Sequence, residues 1–180
     1  GKNNYGQLGD TTTTNKNVPV LVTGAITNKV VVKVSGSMES SFAVTNEGEI
    51  YSWGGNTNGI LGDATIPIGA AGRTIPGLVK GLDAIVIKDI YLSKSSSWAT
   101  AINATGAGYS WGYNDFSNLG DKTTTTPRVQ PVMQTIYENY PTTTVVSIGA
   151  GYQHSLILLN GTICFGILAD DPLVCSWRGQ

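Results

Sequence analysis

A pattern that occurs three times constrains the fold of this chain more than any other feature. Each copy has an asparagine, four variable residues and then Leu-Gly-Asp. The glycines of the three copies, Gly9, Gly62 and Gly120, are 53 and 58 residues apart. A period of roughly 50 residues is typical of propeller blades and other repeat arrays, in which each unit buries its apolar face against a neighbour. The residues that keep this register are Gly9, Asp10, Trp53, Gly54, Gly62, Asp63, Trp111, Gly112, Gly120 and Asp121.

Between these anchors the chain predicts antiparallel β-strands. The β-branched runs 30–34 and 145–148 indicate buried strands, and the run 18–22 indicates an edge strand, because its proline lacks the N–H that a central strand needs. A hairpin is predicted around Gly48, because glycine adopts the positive φ that a tight turn needs. Trp53 and Trp111 have the size to fill the wedge between neighbouring sheets, and the aspartates after Leu-Gly are expected to accept backbone N–H groups. The anchors are therefore interpreted as structural residues.

These motifs resemble the repeats of the regulator-of-chromosome-condensation family. The shared pattern is Trp-Gly-x-Asn-x-x-Gly-x-Leu-Gly-Asp, here residues 53–63, with a Thr-rich loop at 11–14, a Pro-Val pair at 19–20 and a His-Ser turn at 154–155. The resemblance covers residues 1–166. It implies an all-β fold of four-stranded antiparallel β-propeller blades, here about three blades of a larger propeller or repeat array. Three positions depart from the pattern: Ser40-Ser41 and Trp98-Ala99 replace His-Ser, and Ser117 replaces a glycine.

The repeat also predicts how the chain is divided. Three propeller-type repeats are expected at 1–54, 55–112 and 113–166, followed by a non-repeat tail at 167–180. Three blades cannot close a ring, because each needs a neighbour on both sides. The sequence begins inside a repeat, so we expect either a piece of a longer chain or a unit whose open ends are covered by copies of itself.

Composition and motif content narrow the function classes. Charged residues make up 13% of the chain, its net charge is −1, and it lacks the clustered lysine and arginine of a nucleic-acid surface. No apolar run is long enough to predict a membrane span in this segment, and no metal, cofactor or nucleotide motif is present. The single histidine, His154, precedes Ser155, and on a strand the two side chains would point to opposite faces. No catalytic residue is predicted, and the chain is not expected to be an enzyme.

Two sequons and two cysteines indicate an extracellular or cell-surface location. Asn103 and Asn160 each begin an Asn-x-Thr sequon, and both fall in the same predicted hairpin turn of successive blades, so N-linked glycans are expected there. Cys164 and Cys175 are expected to form a disulfide in an oxidising compartment. Two reduced thiols, or pairing with residues beyond Gln180, are the alternatives. The stretch 175–180 weakly resembles the opening of an epidermal-growth-factor-like module.

The second repeat carries the longest predicted loop, Asp63–Gly77. It is apolar and interrupted by glycine and proline. Insertions in repeat arrays map to one face, so the loop is a candidate contact site. The alternative is that this loop folds back on its own blade and contacts no partner.

Two functional hypotheses follow. The first is a non-catalytic, glycosylated scaffold or adhesion protein outside the cell, which binds protein partners or copies of itself and assembles end to end. The alternative comes from the family resemblance, which implies a guanine-nucleotide exchange factor or regulator for a small GTPase. The matched residues occupy scaffold positions, so the resemblance assigns no exchange residue.

Overall fold

The structure of the protein is a computed structural model that describes residues 1–94, 98–135, 144–160, 162–165 and 175–177. Apart from a short 3-10 turn at Thr57–Gly59, the regular structure of these residues is β-strand. The strands are β1 Val31–Gly36, β2 Ser40–Thr45, β3 Ile50–Asn56, β4 Gly69–Leu78, β5 Ile87–Leu92, β6 Trp98–Asn103, β7 Gly108–Gly112, β8 Arg128–Met133, β9 Val145–Ala150, β10 Ser155–Leu159, β11 Thr162–Phe165 and β12 Cys175–Trp177.

These strands form three antiparallel sheets of four strands each. The first sheet has the order β1-β2-β3-β4, the second β5-β6-β7-β8, and the third β9-β10-β11-β12. Each strand pairs with the next strand in sequence, so every sheet is a meander joined by turns and loops. The prediction of an all-β chain of four-stranded antiparallel sheets is confirmed.

The sheets pack side by side, and their middle strands form the core. Strands β1 and β2 contact β5, and strands β5 and β6 contact β9. The cluster between the first two sheets consists of Phe42, Val44, Ile50, Ile60, Val79, Leu82, Ile87, Ile90, Ala99, Ala101 and Trp111. A smaller cluster lies between the second and third sheets and consists of Ile102, Val145, Ile148, Ile157 and Leu159. Each sheet therefore needs its neighbour to bury its apolar side chains, as a repeat array requires.

The structure corrects three local predictions. The run 30–34 does form β1, but its valines are exposed rather than buried, because β1 is the first strand of its sheet and one of its faces is uncovered. Residues 18–22 do not form the predicted edge strand, since they have no paired strand among the described residues. The predicted loop 63–77 becomes strand from Gly69 onward, because β4 pairs with β3 through two register shifts.

The sheets are offset from the sequence repeats. The predicted repeat boundary at residue 54 lies inside β3, and the boundary at 112 lies at the end of β7. The fourth strand of each of the first two sheets therefore comes from the following sequence repeat. In the predicted tail, Cys175–Trp177 pairs with Thr162–Phe165 as the outer strand of the third sheet. Within the described residues, no helix is long and apolar enough to span a membrane.

Candidate protein-binding rim

The meander places two kinds of connection on opposite rims of the sheets. We call the first the loop rim. It carries the turns 37–39 and 151–154, the loops 57–68 and 113–127, and the related loop 3–14 that precedes the first sheet. The hairpin rim, on the other side, carries the β2–β3 and β6–β7 turns at 46–48 and 104–106. Loops on a rigid scaffold are common binding sites, so the longer loops make the loop rim the candidate site.

One buried asparagine organises each loop of the loop rim. The side-chain oxygens of Asn3, Asn56 and Asn114 each accept the N–H of the leucine five residues later, at 2.8, 3.0 and 3.0 Å. The Asn3 and Asn114 amides donate across the loop to the backbone carbonyls of Thr12 and Thr123. A single side chain thus satisfies backbone groups on both sides of the loop, which would otherwise be costly to bury.

The Asn56 side chain fixes the base of the apolar loop 63–77. The Asn56 amide donates to the carbonyls of Ile66 and Pro67 at 3.2 and 3.0 Å, so these two residues are tied back to their own sheet. Ile68, the next residue, is exposed. The segment between Asp63 and β4 is therefore anchored at its base and presents the apolar side chains of Ala64, Pro67 and Ile68 to solvent.

A carboxylate closes each loop. One oxygen of Asp10, Asp63 and Asp121 accepts both the N–H and the hydroxyl of the threonine two residues later. The other oxygen pairs with a cation that follows in sequence; these pairs are Lys16–Asp10 at 3.3 Å, Arg73–Asp63 at 3.1 Å and Arg128–Asp121 at 2.7 Å.

Sequence reasoning missed these cations. They follow their aspartates by 6, 10 and 7 residues. The signal that could have found them is one basic residue after every Leu-Gly-Asp-x-Thr segment. The second loop is longer than the other two, so Arg73 stands several positions further from its aspartate than Lys16 and Arg128 do. This difference in length hides the signal.

Hydrogen bonding lowers the pKa of two of these aspartates. The Thr12 hydroxyl is the main reason that the pKa of Asp10 falls to about 2, although burial opposes this shift. At Asp63, burial is the largest influence and would raise the pKa. Hydrogen bonds from Thr65 and the charge of Arg73 outweigh it, so the pKa of Asp63 is lowered.

We therefore expect the protein to lose stability as the pH falls from about 4 to about 2, because the unfolded chain takes up protons at a higher pH than the folded chain. Above pH 4 the stabilisation is fully present. Urea midpoints measured between pH 6 and pH 2 check this. Asp10→Asn should reduce the pH dependence, whereas Asp83→Asn, at an exposed aspartate on the other rim, should keep it. An Asp10→Asn protein with the full dependence would contradict the assignment.

The two predicted tryptophan anchors join each sheet to the loop of the preceding copy. The Trp53 indole N–H donates to the Gln7 carbonyl at 3.0 Å, and the Trp111 indole N–H donates to the Ile60 carbonyl at 2.7 Å. Gln7 and Ile60 each stand two residues before an anchor glycine. Trp111 is fully buried between the first two sheets and packs on Phe42.

Glycine is required where these tryptophans meet the loops. Gly62 has φ +68°, which side chains with a Cβ rarely adopt. A Cβ at this position would also lie 2.8 Å from Val79 and 3.0 Å from the Trp111 indole nitrogen. Gly9 and Gly120 have almost the same φ, at +71° and +69°. Gly54 and Gly112, which follow the tryptophans, have φ of +99° and +100°.

The third loop of the loop rim presents aromatic side chains to solvent. Phe116 is 45% exposed and Tyr152, in the neighbouring turn 151–154, is 68% exposed. The Tyr113 ring packs on Phe116 with centroids 6.1 Å apart, and the Asp115 carboxylate lies near the Tyr113 hydroxyl. Sequence reasoning treated residues 113–118 only as part of the repeat, although the run Tyr-Asn-Asp-Phe differs from its counterparts in the other copies.

The remaining predicted site residues lie apart from this rim. Asn103, at the end of β6, uses its side chain to accept the N–H groups of Thr105 and Ala107 in the hairpin-rim turn. Asn160 is exposed on the same rim. The backbones of Cys164 and Cys175 face each other in the β11–β12 pairing; their side chains lie outside the described residues. His154 is exposed while Ser155 is buried, and no trio of metal-ligating side chains is grouped within the described ranges.

An apolar cleft of about 970 Å³ lies between segment 17–22 and the first sheet. Its walls include Val18, Leu21, Val34 and Phe42. Residues 128–133 have the same place after the third repeated loop as residues 18–22 have after the first. Residues 128–133 form β8, the outer strand of a complete sheet. The cleft therefore has the character of a sheet-packing surface rather than of a ligand pocket.

Comparison with known proteins identifies the repeat. The family model described as the Regulator of chromosome condensation (RCC1) repeat matches residues 1–44 and 105–158, and a second model of the same repeat matches residues 31–60. The mouse and human E3 ubiquitin-protein ligases HERC2 are 32% identical to this chain over 179 residues, which is 98% of its length. The chain belongs to the RCC1 repeat family. It spans only 3% of the length of these two ligases.

Solved structures confirm the β-propeller fold of these RCC1 repeats. Human WBSCR16 has a TM-score of 0.75 at 20% identity, covering 91% of this chain and 40% of that protein. Yeast RCC1 (Prp20) bound to Kap60 has a TM-score of 0.69 at 21% identity, covering 92% and 38%. Prp20p from Saccharomyces cerevisiae, studied for its binding to Gsp1p and histones, has a TM-score of 0.67 at 18% identity, covering 94% and 39%.

The same comparisons overturn the predicted function and location. The HERC2 relatives of this RCC1-repeat chain are ubiquitin-protein ligases, which act inside the cell. The prediction of an extracellular or cell-surface scaffold for adhesion is therefore wrong. It depended on short sequons and a cysteine pair, whose location signal is weaker than a family match along the whole chain. Glycans at Asn103 and Asn160, the Cys164–Cys175 disulfide and assembly with copies of itself have no support from these relatives.

Proposed function

We propose that the loop rim of this chain binds a small GTPase and changes the rate at which the GTPase releases its nucleotide. The observation that carries the proposal is the set of three loops on blades of the RCC1 type. In each loop, a buried asparagine and a hydrogen-bonded aspartate hold the backbone in place. In Prp20p the same fold belongs to a protein that binds Gsp1p and histones, and yeast RCC1 has been solved in complex with Kap60. Binding to other proteins is thus the activity that these structural neighbours support.

Nucleotide release requires a binding surface rather than a catalytic group. A protein that binds the nucleotide-free GTPase more tightly than the nucleotide-bound form weakens nucleotide binding by the same factor. A 100-fold difference between the two affinities corresponds to about 2.7 kcal/mol, which a few well-placed side chains can supply. The proposal therefore keeps the expectation that the chain is not itself an enzyme, and it needs no acid, base or metal in the site.

Rigid loops suit this task, because a surface that is ordered before binding loses little conformational entropy when the partner docks. The described loops of the loop rim meet this condition through the asparagine, aspartate and tryptophan contacts. On the hairpin rim the turns 46–48 and 104–106 are short, and the β4–β5 connection 79–86 packs partly into the core through Val79 and Leu82, so this rim offers less surface for a partner. The low net charge of −1 also means that long-range steering contributes little to association.

A nucleotide-release assay tests the proposal. The full-length protein is added to a panel of small GTPases loaded with fluorescent GDP, and the fluorescence decay is followed with excess unlabelled GDP. We expect release from at least one GTPase to accelerate by about tenfold or more. The double variant Phe116→Asn, Tyr152→Met should reduce this acceleration, since both residues project from the loop rim.

The matched control is Val86→Asn, which changes a residue of similar exposure, 53%, beside the hairpin rim. It should leave the acceleration unchanged. Failure of every GTPase to respond, or an equal loss in the rim variant and the control, would contradict the proposal.

A further inference from the structure

The aromatic loop of the third copy differs from its counterparts in a way that the fold does not require. Positions 113, 115 and 116 carry Tyr, Asp and Phe, whereas the second loop has Gly55, Thr57 and Asn58 at the equivalent positions. The asparagine, leucine, glycine and aspartate anchors are the same in both loops, which share the hydrogen bonds from leucine to asparagine and from threonine to aspartate. Since the second loop folds without the aromatic and acidic residues, their presence in the third loop points to a role other than folding.

The cluster combines ring faces with a carboxylate. Phe116 and Tyr152 are exposed; Phe116 lies in the β7–β8 loop of the second sheet, and Tyr152 lies in the β9–β10 turn of the third sheet. Tyr152 lies close enough to Tyr113 to interact electrostatically with its hydroxyl, and burial together with the nearby Asp115 carboxylate raises the pKa of Tyr113. The cluster therefore presents aromatic ring faces beside the Asp115 carboxylate.

Its supports are rigid. The Asn118 amide donates to the Tyr113 carbonyl at 2.7 Å, and the buried Trp98 indole donates to the Tyr152 carbonyl at 3.4 Å. Aromatic side chains held on fixed backbone are the residues that most often dominate the energy of a protein interface.

The first loop shows which chemical group such a ring accepts. Its residues Lys2 and Tyr5 stand at the positions of Tyr113 and Phe116. There the Lys2 ammonium lies 5.7 Å from the centroid of the Tyr5 ring, within the range of a cation–π interaction. In the third loop a tyrosine takes the place of the lysine, and an exposed carboxylate is added beside the rings. The same ring position thus lacks the lysine of the first loop and gains a negative charge.

We infer that Tyr113, Asp115, Phe116 and Tyr152 bind an exposed arginine or lysine side chain of a protein partner. The cation stacks on the rings of Phe116 and Tyr152 and pairs with the Asp115 carboxylate. A guanidinium suits both contacts, since it stacks on aromatic faces and pairs with carboxylates. This inference rests on the proposed function in placing the partner on the loop rim, and it adds the chemical group that the rim recognises.

The test uses a Gly-Ser peptide with one central arginine, and the same peptide with citrulline, which has the shape of arginine without its charge. Binding to the full-length protein is followed on the peptide by NMR, as upfield shifts and broadening of the side-chain methylene protons next to the guanidinium. We expect the arginine peptide to bind at least about tenfold more tightly than the citrulline peptide.

Variants that copy residues from the second loop into the third, here called sister-loop variants, separate an effect on binding from an effect on folding. Phe116→Asn and Asp115→Thr introduce the residues that the second loop already uses, and each should weaken arginine binding by about fivefold to tenfold. Val86→Asn and Asp83→Thr near the hairpin rim are the matched controls and should have no effect. Equal affinity for arginine and citrulline, or unchanged affinity in both sister-loop variants, would overturn the inference.

The peptide assay contains no GTPase, so the two proposals can fail separately. Arginine binding that depends on Phe116 and Asp115, without nucleotide release from any GTPase, would support the cation site and reject the proposed function. Nucleotide release that is insensitive to Phe116→Asn and Asp115→Thr, with no arginine preference in the peptide assay, would reject the cation site alone.

Discussion

Replacing Trp111 with alanine is expected to lower the free energy of unfolding by about 3–5 kcal/mol. The indole is fully buried between the first two sheets, lies 6.2 Å from the Phe42 ring, and donates to the Ile60 carbonyl at 2.7 Å. Alanine would leave a cavity at the seam and remove the hydrogen bond to a buried carbonyl. The loss should therefore be large, because the cavity and the unsatisfied carbonyl both contribute.

Urea unfolding of the full-length protein, followed by intrinsic fluorescence and far-UV circular dichroism, measures this change. Trp111→Phe is the matched variant, since it keeps most of the apolar volume and removes the N–H. It should cost about 1–2 kcal/mol. An alanine variant with nearly the stability of the parent protein would show that Trp111 does not join the two sheets.

The second large effect is expected at Asn114, where alanine should cost about 2–4 kcal/mol. The Asn114 oxygen accepts the Leu119 N–H at 3.0 Å, and the amide donates to Asp121 and to the Thr123 carbonyl. Removing the side chain leaves the buried Leu119 N–H without its acceptor and takes one donor from Asp121 and from the Thr123 carbonyl. The loop that carries the aromatic cluster should then become disordered before the sheets unfold.

Urea unfolding gives the change in stability, and hydrogen exchange of residues 114–119 reports the local disorder. Asn160→Ala, at an exposed asparagine on the hairpin rim, is the control and should change stability by less than about 0.5 kcal/mol. Asn114→Asp should also destabilise the loop, because it places a second carboxylate beside Asp121. Normal exchange of residues 114–119 in Asn114→Ala would refute the role of this asparagine.

Much of the fold could be predicted from the sequence, because the repeated residues are those that the fold cannot replace. Gly62 needs a positive φ and has no room for a Cβ, and Trp111 fills a seam that a smaller side chain would leave empty. The positive φ recurs at Gly9, Gly62 and Gly120, and the tryptophan recurs at Trp53 and Trp111, so these constraints appear as a pattern. The exposure of β1 could not be predicted in this way, since a β-branched run indicates a strand but not whether a neighbour covers it.

The functional surface was harder to predict for the opposite reason. Phe116, Asp115 and Tyr152 do not repeat, so a search for the shared pattern passes over them. They become visible only when equivalent loops are compared position by position and the structure brings the turn 151–154 beside the third loop. Asn103 and Asn160 misled the prediction of location, because a three-residue sequon is too short to outweigh a match to RCC1 repeats along the chain.

Hydrogen–deuterium exchange of the full-length protein, with and without a nucleotide-free small GTPase that responds in the release assay, tests the central claim most directly. The loop rim should be protected on binding, above all at residues 113–118 and 151–154, while the hairpin-rim turns at 46–48 and 104–106 should exchange as in the free protein. Protection confined to the hairpin rim, or no protection on either rim, would contradict the claim that these repeats bind their partner through the loop rim.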